Sequence, residues 1–312
     1  MSKVAFVFPG QGSQVVGMGK DLYEAFPEAR AVFDAVDDAL GEKLSTTCFE
    51  GPEEALKLTA NTQPAILTVS LAVHAVFAKR GPAPAFVAGH SLGEYSALVA
   101  AGAMGLADAA RSVRARGTFM QDAVPAGVGA MAAVLGLAPE KVKAACDAAA
   151  QGQVVSPANY NSPEQTVIAG DAAAVERAGV LCKEAGAKKV MPLPVSAPFH
   201  CALMDPVKPR LAEVLGRVSL SAPQVPVVTN VEARPNSDVA RVVPLLLEQV
   251  SAPVRWIECV EALKAEGVTR VIELGPGKVL CGLVKRITKD IETFNVENTA
   301  TLDKVLAALG AQ

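Results

Sequence analysis

The stretch Ala85–Gly102, with the sequence AFVAGHSLGEYSALVAAG, constrains the fold of this chain more than any other. The short apolar run Ala85–Ala88 predicts a strand, and the spacing of apolar residues after Gly93 predicts a helix. Between the two stands a tight turn with Ser91 at its apex. The sequence therefore predicts a strand, a turn and a helix, an arrangement typical of α/β folds.

The two glycines of this turn, Gly89 and Gly93, flank Ser91 in the pattern G-x-S-x-G. This pattern fits a nucleophile elbow, in which bulky neighbours would clash and the serine hydroxyl is held away from the backbone. The first N–H groups of the following helix can then stabilise a developing oxyanion. The alternative is an ordinary strand-to-helix turn that happens to contain a serine, and the motif alone does not decide between the two.

The composition indicates a folded domain with no nucleic-acid function. The 312 residues are 51% hydrophobic with a mean hydropathy of +0.30, enough for a large core and a smaller additional unit. A net charge of −3, a pI near 5.8 and 4% aromatic residues argue against a nucleic-acid partner. The apolar run Lys3–Phe8 predicts a strand buried on both faces of a parallel sheet.

Targeting and cysteine patterns indicate a cytoplasmic protein with no membrane partner. The N-terminus leads directly into a strand and has neither the apolar region of a signal peptide nor the pattern of a transit peptide. The longest charge-free apolar stretch, Pro64–Ala78, is too short to span a bilayer, so we expect a buried helix. The six cysteines form no C-x-x-C pair and are expected to be reduced thiols. No metal-ligand spacing occurs, so we expect no metal.

The middle of the chain predicts a second, smaller unit. Residues 126–196 are expected to contain strands and helices in the order β-α-β-β-α-β, which is that of a ferredoxin-like unit. Its second and third strands would be joined by a loop over 159–163. The predicted architecture is a large α/β domain with a parallel sheet, formed by residues 1–125 and 197–312, and a ferredoxin-like subdomain inserted at 126–196.

The sequence also predicts where the buried helix of the large domain begins and how the arginines of a second helix are exposed. Asn61-Thr62 is expected to cap the buried helix, with Pro64 in its first turn. The helix predicted over Ala107–Gln121 carries Arg111, Arg114 and Arg116. Arginines on a helix usually lie on a solvated face, and composition alone does not distinguish Arg116 from the other two.

A serine nucleophile needs a base, and the chain has three histidines. His74 falls in the predicted buried helix, and the side chain of His90 should point away from that of its neighbour Ser91. By elimination His200, on a proline-rich segment that leaves the small unit, is the best candidate. Asp171 and Glu176 lie between Ser91 and His200, but in the predicted helix of the small unit, where they look like solvated surface. A Ser-His dyad oriented by an amide or a backbone carbonyl is therefore more economical than a triad.

Several motifs together resemble one family, and they cover essentially the whole chain. They are FPGQGSQ at 8–14, NTQPA at 61–65, GHSLGEYSALVAAG at 89–102, RGTFMQ at 116–121, SPANYNSPEQTVIAG at 156–170, APFH at 197–200 and ELGPGKVL at 273–280. In this order and spacing the chain resembles the malonyl-CoA:acyl carrier protein transacylases of bacterial-type fatty acid synthesis.

The resemblance implies a hydrolase-like large domain with a ferredoxin-like insertion, and it implies a set of roles. Ser91 would be acylated, His200 would be its base, and the carbonyl oxygen of Gln249 would orient the histidine. The backbone amides of Gln11 and Leu92 would form the oxyanion hole. Four further residues would contact substrate, with Arg116 binding the free carboxylate of malonate and Phe199 disfavouring a 2-methyl branch; they are Arg116, Gln63, Asn159 and Phe199.

The resemblance also implies the partners. The substrates would be malonyl-CoA and an acyl carrier protein, the CoA thioester would be a substrate with no further cofactor, and the protein would be a monomer. An acidic carrier needs a local basic patch; by analogy alone the candidates are Lys188, Lys189, Arg255, Lys285 and Arg286, for which ordinary solvated surface is the alternative. Two other functions stay open, a serine thioesterase or other hydrolase on the same elbow and an inactive acyl-CoA-binding module.

Overall fold

The computed structural model describes residues 3–125, 127–195 and 197–310. The strands are β1 (Lys3–Phe8), β2 (Phe86–Gly89), β3 (Gly129–Leu135), β4 (Val155–Ser162), β5 (Gln165–Asp171), β6 (Lys189–Pro192), β7 (Val227–Val228), β8 (Pro235–Asn236), β9 (Val268–Leu274) and β10 (Glu292–Val296). The helices are α1 (Lys20–Ala25), α2 (Pro27–Leu40), α3 (Leu44–Glu50), α4 (Glu53–Lys57), α5 (Thr59–Phe77), α6 (Gly93–Ala100), α7 (Leu106–Asp122), α8 (Pro139–Ala149), α9 (Ala172–Glu184), α10 (Val207–Leu215), α11 (Val242–Gln249), α12 (Trp256–Ala265), α13 (Val279–Ile287) and α14 (Thr299–Leu309).

The larger sheet has six strands in the order β10-β9-β1-β2-β7-β8. Neighbouring strands are parallel except β8, which is antiparallel to β7 at the edge. In the central strand β1, Phe6 and Phe8 face one hydrophobic core, whereas Ala5 and Val7 face the other. Both faces are therefore covered, as the uninterrupted apolar sequence of β1 predicts. The mixed α/β class with a parallel sheet is confirmed.

Helix α5 packs within the core that Phe6 and Phe8 face, and fifteen of its residues are buried. In the described part of the chain, no helix combines the length and the apolar character needed to cross a membrane.

The predicted cap of α5 is wrong, because the helix begins at Thr59 and its N-cap is Leu58, before Asn61.

Pro64 consequently lies inside α5 and not in its first turn. Proline has no N–H, so the carbonyl of Ala60 loses its usual helical partner. The guanidinium of Arg114 supplies one, with Nη1 2.8 Å from the carbonyl oxygen of Ala60. Arg114 is thus half-buried against α5, and the expectation of a solvated side chain is wrong for it.

The smaller sheet has four antiparallel strands in the order β4-β5-β3-β6. Along the chain its elements follow one another as β3-α8-β4-β5-α9-β6, and they enclose a hydrophobic core of their own. The predicted limits of this unit, Ala126 and Ser196, lie outside the described residues. The division of the chain into two domains therefore stays a prediction.

Strand β4 joins the smaller sheet to the rest of the molecule. It continues to Ser162, so the loop predicted over 159–163 is shorter than expected. Val254, just before α12, bonds to β4 through its N–H to the carbonyl of Ala158 at 2.8 Å and through its carbonyl to the N–H of Tyr160 at 2.9 Å. These backbone bonds, together with the pairing of β4 with β5 up to Ser162, keep the chain extended there, although its Asn- and Pro-rich sequence predicts a loop.

Candidate active site

Ser91 occupies the turn between β2 and α6 with a φ of 53°, the left-handed region that few residues other than glycine adopt. The turn is closely packed on both sides. A Cβ on Gly89 would collide with the backbone of Gly93, and a Cβ on Gly93 would collide with the carbonyl of Phe8. The two glycines let β2, α6 and β1 approach closely enough to hold this strained conformation.

The hydroxyl of Ser91 faces His200, with 2.7 Å between Oγ and Nε2. On the other side of the imidazole, Nδ1 lies 2.9 Å from the carbonyl oxygen of Gln249 and 3.2 Å from that of Ala252. A carbonyl only accepts hydrogen bonds, so Nδ1 carries the proton of the neutral ring. Nε2 then presents its lone pair to the serine O–H, the orientation that a general base needs.

Burial and, to a smaller extent, the positive charge of Arg116 together lower the pKa of His200 to about 3. The imidazole is therefore neutral at neutral pH. The side chain is 4% exposed and its φ is 59°, so a second strained residue faces the first across the cavity.

Arg116 lies on α7 and is 1% exposed. Its Nη1 donates to Oε1 of Gln63 at 2.7 Å, and its Nη2 lies 3.0 Å from both Oγ of Ser91 and Oε1 of Gln249. The Nε atom is buried and has no partner within the described residues. Burial lowers the pKa of Arg116, but a guanidinium stays protonated in proteins. A buried positive charge thus lies beside the serine hydroxyl.

The two predicted oxyanion donors, Gln11 and Leu92, line the same cavity as Ser91. In the described ranges of the chain, neither backbone N–H donates to another group. Leu92 directly precedes α6, so its N–H belongs to the free amino-terminal end of the helix. Both amides are available to a ligand in the cavity.

The cavity has a volume of about 110 Å³. It brings together every residue predicted for the site except Gln249, which lies behind His200 and Arg116. Its lining residues are Gln11, Gln63, His90, Ser91, Leu92, Arg116, Met120, Met131, Asn159, Leu193, Val195, Phe199 and His200. The walls combine one cation with apolar side chains, which suits a small acyl group that bears a negative charge.

The other two histidines have different surroundings. His74 is largely buried and lies 6.1 Å, between ring centroids, from both Phe6 and Phe8. His90 turns from the serine hydroxyl towards Asn161, with Nε2 2.8 Å from Oδ1 of the amide. Among the described residues, no group of three or more His, Cys, Asp or Glu side chains could hold a metal ion.

Sequence reasoning missed three groups around the nucleophile. Asn230 accepts the backbone N–H of Ser91 with its Oδ1 at 2.7 Å. Glu94 is a buried carboxyl on α6, and the side chain of Gln249 donates to the carbonyl of Ser91 at 3.0 Å. Position gave some signal, because Asn230 follows a strand of the parallel sheet and Glu94 interrupts the apolar face of α6.

The chain resembles known proteins along nearly its whole length. A family profile described as an acyl transferase domain matches residues 5–304. Proteins named malonyl CoA-acyl carrier protein transacylase are 51% identical over 99% of this chain and 98% of the relative in Bacillus subtilis, and 52% identical over 92% of this chain and 93% of the relative in Escherichia coli K12.

Solved structures agree with these relatives. An acyl carrier protein S-malonyltransferase from Vibrio cholerae superposes with a TM-score of 0.95 at 52% identity, covering 97% of this chain and 100% of the other. A malonyl-transacylase solved in complex with a type II PKS acyl-carrier protein superposes with a TM-score of 0.96 at 49% identity, covering 98% and 100%.

Proposed function

This chain belongs to the malonyl CoA-acyl carrier protein transacylase family of acyltransferases, and from that premise we propose that it carries a malonyl group on Ser91. The donor is malonyl-CoA and the acceptor is the phosphopantetheine thiol of an acyl carrier protein. The observation that carries the proposal is the meeting of three groups in one cavity. Oγ of Ser91 lies 2.7 Å from the His200 imidazole and 3.0 Å from the Arg116 guanidinium.

The first half-reaction acylates the enzyme. Nε2 of His200 takes the hydroxyl proton while Oγ of Ser91 attacks the thioester carbonyl carbon. The amides of Gln11 and Leu92 donate to the oxyanion of the tetrahedral intermediate. The carbon–sulfur bond then breaks, the imidazolium gives its proton to the departing sulfur, and free CoA leaves. The carbonyl of Gln249 holds Nδ1–H throughout and keeps the ring in the tautomer that can accept a proton.

The second half-reaction reverses these steps with a different thiol. His200 takes the proton of the phosphopantetheine thiol, and the sulfur attacks the ester carbonyl carbon. The bond to Oγ of Ser91 breaks, and the imidazolium returns a proton to that oxygen. Atoms and charges balance without a metal or redox group, so the CoA thioester is proposed as a substrate and no further cofactor is needed.

Arg116 selects the acyl group by its charge. A guanidinium can hold a carboxylate with two parallel hydrogen bonds, which an ammonium cannot. Acetyl would leave the guanidinium without a counter-charge in a buried cavity, at a cost of about 1–3 kcal/mol. Gln63 and Asn159 line the space that the acyl group would occupy. The ring of Phe199 lines the same space and would disfavour an acyl group with a 2-methyl branch.

The proposed partner is an acyl carrier protein, and an acidic carrier needs a positively charged surface to which it can bind. Among the candidate cations, Arg286 on α13 lies 3.2 Å from the side-chain oxygen of Gln165 on the smaller sheet. Lys188 lies 4.0 Å from Glu164, and Arg255 pairs with Glu258. Lys189 and Lys285 are exposed. We infer that these cations on both parts of the molecule can attract an acidic carrier.

We propose that the protein acts as a monomer, as the family resemblance implies. All six cysteines are free and buried, which supports the expected cytoplasmic location.

The decisive experiment incubates the protein with malonyl-CoA alone and follows the malonyl adduct by mass spectrometry. We expect one stable adduct on Ser91, released when a thiol-bearing carrier protein is added, and no adduct on Ser91→Ala. Steady release of free malonate without carrier would instead favour a hydrolase. Transfer activity that survives Ser91→Ala would favour an acyl-CoA-binding role for this cavity.

A further inference from the structure

Glu94 is a buried carboxyl that the proposed reaction steps do not use. It is the second residue of α6, and it is 2% exposed. Its Oε2 accepts two hydrogen bonds, from the backbone N–H of Asn230 at 2.9 Å and from Nε2 of Gln249 at 2.9 Å. Burying a carboxyl is costly unless its oxygens are well bonded, so its position in the core requires a reason.

The two partners of Glu94 hold the main chain of the nucleophile from both sides. Asn230 accepts the N–H of Ser91 with Oδ1 at 2.7 Å and donates through Nδ2 to the carbonyl of Gly89 at 2.7 Å. Gln249 donates through Nε2 to the carbonyl of Ser91 at 3.0 Å. Together they fix the peptide groups on either side of a residue in a strained conformation.

Gln249 also reaches the other two groups of the site. Its side-chain Oε1 accepts from Nη2 of Arg116 at 3.0 Å, and its main-chain oxygen lies 2.9 Å from Nδ1 of His200. The amide must point its oxygen at the guanidinium, because the reverse orientation would set N–H against N–H. Of the two ends of this amide, only the nitrogen can donate to the Glu94 oxygen, so this hydrogen bond favours the orientation that turns the amide oxygen to the guanidinium.

We propose that Glu94 is a positioning residue: by accepting from Asn230 and Gln249 it holds the backbone of Ser91 and orients the Gln249 amide that locates the Arg116 guanidinium. The effect on Ser91 is independent of the substrate. The effect on Arg116 rests on the function proposed above, because it matters only for an acyl group with a free carboxylate.

The test compares Glu94→Leu with Glu94→Gln. Leucine removes both accepted hydrogen bonds. Glutamine removes the charge and replaces one oxygen by an NH2 group, but its remaining oxygen can still accept from the same two donors. Two rates are measured at matched folded fractions, labelling of Ser91 by a neutral fluorophosphonate and loading of Ser91 by malonyl-CoA. We expect Glu94→Leu to lower each rate at least about tenfold, since the loss of one hydrogen bond to a charged group corresponds to about this factor. Glu94→Gln should keep each rate within about threefold of that of the parent.

Glu273 offers a matched control. It is also a fully buried carboxyl, and it accepts the N–H groups of Leu280 and Cys281 at the start of α13 at 3.1 and 2.8 Å. It does not line the cavity. Glu273→Gln should leave both rates close to those of the parent, which separates positioning from a general loss of core stability.

Gln249→Met covers the case in which Glu94→Leu does not fold. It removes the side-chain amide and keeps the main-chain carbonyl that faces His200, and malonyl loading should again fall at least about tenfold. Parental rates in Glu94→Leu or in Gln249→Met would overturn the proposal, as would equal damage in Glu94→Leu and Glu94→Gln. If the parent forms no malonyl adduct, the proposed function fails, but fluorophosphonate labelling still reports the effect of Glu94 on Ser91.

Discussion

At the scale of single residues, Arg116 is unusual because its hydrogen-bond partners among the described residues are all neutral. They are the side chains of Gln63, Ser91 and Gln249. Within the described residues, no carboxylate lies within ion-pair distance of the guanidinium, and Glu94 reaches it only through the Gln249 amide. A buried cation without a direct counter-ion is costly, so an anionic ligand that reaches it gains more than it would at the surface.

We predict that Arg116→Ala lowers malonyl loading of Ser91 about 10- to 100-fold more than acetyl loading, since only malonyl uses the charge. Arg116→Lys should not restore the full rate, because an ammonium lacks the paired donors of a guanidinium. Single-turnover loading with each thioester gives both numbers. Arg111→Ala is the control, on the same helix with an exposed side chain that pairs with Asp108. Equal losses for the two acyl groups would remove Arg116 from the role of carboxylate clamp.

The sequence singles out Ser91 by its G-x-S-x-G turn and His200 because the chain has three histidines, whereas Arg116 stands out only through the family resemblance. A single residue separates Arg114 from Arg116. Packing alone decides that Arg114 bonds to a carbonyl of α5, whereas Arg116 lines the cavity. Asn230 and Glu94 were missed for a related reason. Their contacts with each other and with Ser91 depend on how β7 and α6 meet in space.

At the scale of secondary-structure elements, the turn before α6 depends on the absence of side chains at its two glycines. We predict that Gly93→Ala lowers the free energy of unfolding by about 1–3 kcal/mol, because the new Cβ collides with the carbonyl of Phe8 in β1. The shift of α6 away from β1 should also move Ser91 and lower its acylation rate. Chemical denaturation and single-turnover loading measure the two effects.

Gly282 provides the comparison for this substitution. It lies within α13, and a Cβ there would meet no atom within 4 Å. Gly282→Ala should raise the free energy of unfolding by about 0.5–1 kcal/mol, since alanine loses less backbone entropy in a helix. If the two variants change stability in the same direction, close packing is not the reason for glycine at position 93.

Sequence periodicity predicts most elements to within a few residues, and it fails where a distant contact decides. Helix α5 runs through Pro64 because Arg114, from another helix, bonds to the carbonyl that proline leaves free. Strand β4 extends through residues expected to form a loop, and there Val254 bonds to its backbone on the side opposite β5. Neither contact leaves a local trace in the sequence, so no window of neighbouring residues could have predicted it.

At the scale of the whole molecule, buried histidines couple stability to pH. Burial lowers the pKa of His74 to about 4, so between pH 4 and 6.5 the unfolded chain binds a proton that the folded chain does not. The free energy of unfolding therefore falls as the pH falls through this range. Burial raises the pKa of both Glu94 and Glu273 to about 7, which acts in the opposite direction.

We predict that, relative to the parent, His74→Leu gains stability as the pH falls from 6.5 to 4, by up to about 1.4 kcal/mol per pH unit. The comparison with the parent isolates His74 because both proteins keep the two buried glutamates. Urea denaturation at half-unit pH intervals measures it. Above pH 7 the difference between the two proteins should be constant, and curves that stay parallel down to pH 4 would contradict a neutral His74.

The overall architecture was the most predictable level, since the buried strand β1 and the alternation of strands and helices already indicate a parallel α/β sheet. The relation between the two sheets was not predictable, because it depends on the pairing of β4 with Val254 and of His90 with Asn161. The cavity lies where these parts meet, so its shape follows from contacts that only the folded chain contains.

The backbone bonds between β4 and Val254 have a consequence for how the protein handles a long substrate. Separating the two sheets at this edge would break both hydrogen bonds, each worth about 0.5–1.5 kcal/mol, so these bonds favour an arrangement that stays closed while a ligand enters. In the reaction proposed above, a flexible arm with a thioester at its tip would enter the cavity until the tip meets Ser91 and would leave by the same path. The turnover rate would then depend on how fast these arms enter and leave through the opening of the cavity, because each departing thiol must leave before the next thioester can enter.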